Sequence, residues 1–131
     1  MFLTKECDYA MRVVRELAHY EKKSVQTICE SEHIPITFAY KILKKLESAG
    51  IVKSTRGVLG GYQLSKPLNE ISMFDIVSAA NESLVINECL KMGHVCPNHS
   101  EQKRCKIHTE LACMQDELIM MLKRKTMDVL V

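Results

Sequence analysis

Three cysteines, Cys89, Cys96 and Cys105, fall in one stretch without helical or strand periodicity, with six and then eight residues between them. Thiolates are the soft ligands that iron-sulfur clusters and zinc select, and this spacing brings them to one centre only if the chain wraps around it. His108 stands three residues after Cys105, on the same face of the helix that follows. Spacing alone does not choose the metal, because three thiolates with His108 would also make a structural zinc site. Six cysteines in a secreted chain suggest disulfides, whereas in a reducing cytosol clustered thiols more often bind metal. Cys7, Cys29 and Cys113 sit inside helix-like patterns and read as core or boundary residues. His94 and His99 also lie in the loop and could ligate, but solvent exposure is the expectation. Met114, Met120 and Met121 read as packing.

A second chemistry is carried by charge. The net charge of +2 is too small to diagnose a nucleic-acid partner, but its distribution is uneven. Between Ile36 and Lys66 the bases Lys41, Lys44, Lys45, Lys53, Arg56 and Lys66 face the single acid Glu47. Such segregation makes a positive face suited to a phosphate backbone, although solvated lysines on any helix can produce it.

These residues need elements to position them. Ala10, Val13, Val14, Leu17 and Ala18 recur at three- and four-residue intervals and predict a helix over 5–20. Ser24 can cap a second helix bearing Val25, Ile28 and Cys29, which ends near His33-Ile34-Pro35 because proline disfavours helical geometry in the preceding residue. A third helix over 36–49 turns Ile42, Leu43, Leu46 and Ala49 inward and stops at Gly50. Strands over 51–56 and 62–65, separated by Gly57-Val58-Leu59-Gly60-Gly61, read as a hairpin. Ser72 and Asp75 stand at capping-box spacing before a short helix. A structureless loop as long as 87–104 is uncommon unless it is functional or pinned. The last helix, over 106–125, carries Ile107, Leu111, Met114, Leu118, Met121 and Leu122 close to heptad spacing, which suits a partner helix from a second subunit.

Two short helices joined through a proline-containing turn, then a basic hairpin, match a winged helix-turn-helix whose second motif helix enters the major groove. The exposed side of that helix presents Thr37, Tyr40, Lys41 and Lys44, of which Thr37 and Lys41 can bond base edges or phosphates. Arg56 at the base of the wing can reach a minor groove, and Gly60 and Gly61 allow close approach to the DNA backbone. A three-helix packing domain with a surface hairpin is the plainer alternative.

Leu3-Thr4-Lys5, Asp8-Tyr9-Ala10-Met11-Arg12-Val13, Arg56-Gly57-Val58-Leu59-Gly60-Gly61-Tyr62-Gln63-Leu64, the three-cysteine loop and the ending Thr126-Met127-Asp128-Val129-Leu130-Val131 resemble the Rrf family of winged helix-turn-helix transcriptional regulators, in its IscR-, NsrR- and RirA-like, iron-sulfur-dependent form. The resemblance spans nearly the whole chain. It implies a homodimer on a partly palindromic double-stranded DNA operator, with cluster occupancy or state altering affinity. Thr37, Tyr40 and Lys41 fall where members contact bases, and Arg56 where the wing arginine lies. The resemblance also favours an iron-sulfur cluster over zinc on Cys89, Cys96 and Cys105. For the fourth ligand, His108 matches a position used for a two-iron cluster, and Asp8 one contributed from the other subunit to a four-iron cluster. The long cysteine spacing is closer to that of the four-iron members, so 4Fe-4S with Asp8 is the reading and 2Fe-2S with His108 the alternative. Without the resemblance, Asp8 is a helix N-terminal carboxylate favoured by the helix dipole, and His108 a solvated or capping side chain.

The expected fold is mainly α with a small β-hairpin. Residues 1–80 form the winged helix-turn-helix, 81–105 the cluster-binding loop, and 106–131 the dimerisation helix and tail. The expected function is an iron-sulfur-dependent regulator, read as a repressor, that senses nitric oxide, redox or iron status. The alternative is a cluster-free regulator responding to thiol oxidation or a protein partner, or one with structural zinc. No Ser-His-Asp set, phosphate-cradling loop or paired acid and base suggests an enzyme or a small-molecule substrate. No stretch is apolar enough to cross a membrane, and the opening residues lack an export signal, so a cytoplasmic location is expected.

Overall fold

The structure, a computed structural model, describes residues 3–131; the part of the export-signal reading that falls on Met1 and Phe2 lies outside the described residues. Helix α1 spans Lys5–Glu16 and is capped by the Thr4 hydroxyl, which accepts from the Cys7 N–H. Cys7, Ala10, Val13, Val14 and Leu17 are fully buried along one stripe. The helix ends four residues before its predicted limit. Tyr20 takes a left-handed conformation with φ 62°, incompatible with a continuing helix, and its hydroxyl accepts from the Leu68 N–H at 3.0 Å.

Helix α2 (Val25–Glu32) starts at Ser24, whose hydroxyl accepts from the Thr27 N–H, and stops at His33 in a left-handed conformation. Helix α3 spans Ile36–Ser48 and buries Ala39, Ile42, Leu43 and Leu46. Ala49, expected inward, is exposed, because it caps the helix just before Gly50 turns left-handed with φ 74°. Strands β1 (Val52–Thr55) and β2 (Gly61–Leu64) pair antiparallel, with Val52 opposite Leu64 and Thr55 opposite Gly61. Helix α4 (Met73–Ala80) opens on the expected capping box: the Ser72 hydroxyl accepts from the Asp75 N–H, and the Asp75 carboxylate from the Ser72 N–H at 2.8 Å.

The core lies where α1, α3 and α4 meet. The Arg15 guanidinium ties α1 to α2 through two bonds to Glu32, the single buried charged residue among the described residues. Helix α5 spans Lys106–Arg124. Its far end is stitched to the start of α4: Met73 N–H donates to the Lys125 carbonyl and Met127 N–H to the Ile71 carbonyl, both at 2.8 Å. The expected heptad stripe is divided. Leu122 is buried in its own chain, whereas Ile107, Met114 and Met121 face solvent. The segment before α5 is less irregular than its sequence suggests, with a tight helical turn at Glu88–Leu90 and the Ile86 N–H donating to Gln115 on α5. The architecture is mainly helical with a two-stranded wing, as the sequence indicated. No helix among the described residues is long and apolar enough to cross a membrane.

Candidate nucleic-acid interface and metal centre

Thr37, Tyr40, Lys41 and Lys44 are all exposed on α3, because the opposite face is committed to the core. The wing is held beside them. Glu47 on α3 accepts from the Ser54 hydroxyl of β1 at 2.7 Å, and Lys23 and Tyr62 exchange backbone hydrogen bonds at 2.9 and 2.8 Å. Tyr40, Arg56, Gly60 and Gly61 thereby line one cleft, with Ser24 and Gln26 from the start of α2. Gly60 is required there by close approach: a Cβ at this position would lie 2.2 Å from the Thr55 carbonyl oxygen and 2.8 Å from that of Gly57.

Lys41 stands elsewhere on α3. It reaches the Glu6 carboxylate of α1 at 2.6 Å, and Lys45 binds the other oxygen at 2.7 Å while also donating to the Ala80 carbonyl. Hydrogen bonds from Lys41 and then Lys45 hold the Glu6 carboxyl below the usual carboxylate range. The sequence reading did not single out Glu6. Nothing in its local spacing relates it to α3; only the packing of α1 on α3 brings the acid to the bases.

The three loop cysteines are half-buried and form no disulfide. The Cys89 sulfur accepts from Asn87 at 3.4 Å. The Cys105 sulfur caps α5 by accepting from the His108 N–H at 3.4 Å. The ring of His99, expected in solvent, is instead half-buried. Its Nδ1 accepts from the Cys105 N–H at 3.2 Å, and the ring stacks on that of His108 with centroids 4.0 Å apart. His108 Nδ1 is buried and has no hydrogen-bond partner.

Among the described residues no three His, Cys, Asp or Glu side chains are gathered closely enough to hold an ion. The donor set nevertheless fits a soft metal or an iron-sulfur cluster, since it offers three thiols on one loop and an imidazole nitrogen buried at a cost that a partner would remove. Asp8 is engaged separately. Arg12 grips both of its oxygens, at 3.2 and 2.8 Å, and donates to the Glu32 carbonyl at the end of α2 at 3.3 Å. The depression Asp8 lines is shared with Met11, Arg15, Met127, Leu130 and Val131, with no residue of its own chain's cysteine loop.

Residues 3–131 match the family described as Rrf2, iron-dependent transcriptional regulator. The chain belongs to the Rrf2 family. It is 37% identical over 100 residues to protein aau3 of Rhizobium meliloti, a match covering 74% of this chain and 65% of that protein. It is 29% identical over 134 residues to the HTH-type transcriptional regulator IscR of Pectobacterium carotovorum, across all of this chain and 79% of that one. The chain therefore spans about two thirds to four fifths of the length of these Rrf2 relatives. Among solved structures, CymR, the global cysteine regulator of B. subtilis, superimposes with a TM-score of 0.77 over 99% of this chain and 95% of its own at 20% identity, which speaks to the fold alone. The matching family and the IscR relative are named as transcriptional regulators, not as enzymes.

The sequence held a signal for His99 that its loop setting obscured. Each of the cysteines Cys96 and Cys105 is followed three residues later by a histidine, and this Rrf2 chain packs those two histidines together.

Proposed function

We propose that this Rrf2 protein is a homodimeric, iron-sulfur-dependent repressor that binds double-stranded operator DNA through α3 and the wing. The observation that carries the reading is the pairing of two features in one small chain: a cleft joining Tyr40 to Arg56 and Gly60, and a thiol loop ending on an unpartnered, buried His108 nitrogen. Thr37, Tyr40 and Lys44 face the groove, Lys41 contributes when it leaves Glu6, and Arg56 with Gly60 and Gly61 follows the adjacent backbone. Residues 3–80 form the DNA-binding unit, 81–105 the sensing loop and 106–131 the dimer element. In support of pairing, Ile107, Met114 and Met121 recur every seven residues, and their exposure costs least if a second α5 covers them.

Cys89, Cys96 and Cys105 would hold the cluster, a 4Fe-4S form with Asp8 from the second subunit or a 2Fe-2S form with His108. Such a cluster, when bound, supplies iron that reacts with nitric oxide or oxygen and is lost when iron is scarce. As the second subunit's ligand, Asp8 would connect this loop to the DNA-binding unit, because Arg12 holds the Asp8 carboxylate and the last carbonyl of α2 with one guanidinium. Any competing demand on Asp8 is felt at the helix-turn-helix.

The test is iron, acid-labile sulfide and zinc content with a visible spectrum on protein purified without oxygen, followed by operator binding with and without the cluster. Matching iron and sulfide and a cluster-dependent affinity are expected. Zinc alone or no metal after reconstitution, or equal affinity in both forms, overturns the reading and leaves a structural zinc site, a thiol switch or a protein partner.

The Glu6 contact gives a second expectation. Glu6→Gln frees Lys41, so binding to non-specific duplex DNA tightens and its logarithmic salt dependence steepens by about one, as read by fluorescence anisotropy over a salt series. The carboxyl is held below its ordinary value, so in the wild type this restraint is intact above the usual carboxylate range and is lost as pH falls through the depressed value. An unchanged slope in the variant would place Lys41 away from phosphate.

A further inference from the structure

Two copies of one pattern lie in the loop, Cys96-Pro97-Asn98-His99 and Cys105-Lys106-Ile107-His108. Each folds locally. The His99 N–H donates to the Cys96 carbonyl at 3.1 Å, closing a tight turn, and the Cys105 sulfur accepts from the His108 N–H at the head of α5. The copies then meet, through the Cys105 N–H on His99 Nδ1 and through imidazole rings stacked 23° from parallel. Cys89 is no part of this unit; its sulfur is held by Asn87 beside the Glu88–Leu90 turn.

We propose that Cys96, His99, Cys105 and His108 form a second donor set, taking a single divalent zinc-class ion, that shares two thiolates with the cluster set and omits Cys89. Two sulfurs and two imidazole nitrogens make a four-coordinate set that Zn2+ accepts readily, and soft thiolates select against magnesium and calcium. Coordination by Nδ1 gives His108 the partner that this buried atom lacks. At His99 the ion takes the place of the Cys105 N–H on Nδ1. The four donors are not gathered within coordination distance of one point here, so binding turns the side chains inward on a backbone that already places the two copies together. Two thiol protons are released as the thiolates ligate. The two sets compete for Cys96 and Cys105, so zinc occupancy opposes cluster assembly. That competition rests on the cluster reading above; the zinc-class site does not.

The experiment titrates oxygen-free, reduced, full-length apoprotein with Co2+ and then Zn2+, the thiolate-to-cobalt and ligand-field absorption giving stoichiometry and donor type. Wild type, Cys89→Ala and His94→Ala, which alters an exposed loop histidine outside the set, are expected to bind one ion per chain. His99→Ala is expected to bind at least about 100-fold more weakly, as loss of a ligand exceeds the usual cost of losing its support. Cluster reconstitution should sort the variants the opposite way, with Cys89→Ala failing and His99→Ala succeeding. Circular dichroism checks that helix content is kept. Should His99→Ala unfold the loop, His99→Gln retains an acceptor for the Cys105 N–H while remaining a poor ligand, and decides the question. Wild-type cobalt affinity in the His99 variants, or loss of cobalt in Cys89→Ala, overturns the proposal. Failure of the wild type to take a cluster while the cobalt pattern holds overturns only the cluster reading.

Discussion

Gly60→Ala is expected to weaken operator binding about 10- to 100-fold while leaving the thermal midpoint nearly unchanged. The added Cβ would stand 2.2 Å from the Thr55 carbonyl oxygen, and its neighbour at 2.8 Å is the Gly57 carbonyl oxygen. Neither is the end of a flexible side chain, so the hairpin itself has to shift, carrying Arg56 out of the cleft it shares with Tyr40. Loss of one well-placed nucleic-acid contact typically costs about 1–3 kcal/mol. Global stability is spared because the tip is exposed and the core lies among α1, α3 and α4. Anisotropy with specific and scrambled duplexes, beside a thermal melt, checks this. Specific binding equal to wild type would remove the wing from the interface.

Cys105→Ser and Cys105→Ala are expected to separate two duties of one side chain. The Cys105 sulfur accepts from the His108 N–H at the head of α5, and its thiolate belongs to both proposed donor sets. Serine keeps an acceptor at the cap but is not a soft ligand. Iron and sulfide after anaerobic reconstitution should therefore fall to background in both variants. Helix content and unfolding midpoint should hold in the serine variant, a stronger cap than the weakly accepting thiol, and fall below it in the alanine variant, which has no acceptor at the cap. A full cluster in Cys105→Ser would remove Cys105 from the ligand set.

Much of this architecture was legible because it rests on local rules. Ser24 and Ser72 cap the helices they were expected to cap, Gly50 ends α3 in the left-handed region, and the buried residues of α3 follow helical spacing. Local rules also account for the misses. Tyr20, expected inside α1, is instead left-handed and bonded to Leu68, a long-range contact that no window along the chain contains. Ala49 fits the apolar period of α3 but falls after the last helical turn. The exposed face of α3 was readable by subtraction from its buried face, whereas Glu6, which restrains two of its lysines, lies on another helix. In the loop, cysteine identity pointed to metal chemistry, but the stacking of His99 on His108 depends on how the chain wraps and has no periodic signature.

The stitching of Met73 to Lys125 and of Met127 to Ile71 has a mechanical consequence. Helix α5 is a beam clamped at its Arg124 end to the start of α4, with the Glu88–Leu90 turn packed against it and the Ile86 N–H bonded to Gln115 at mid-span. At 1.5 Å per residue the beam is about 28 Å long, so a tilt of about 10° at the clamp moves the cysteine end by about 5 Å. A tilt at α4, which packs directly against α1 and α3, would thus be magnified at Cys105, and a movement of Cys105 would return to the body of the protein reduced in size and increased in force.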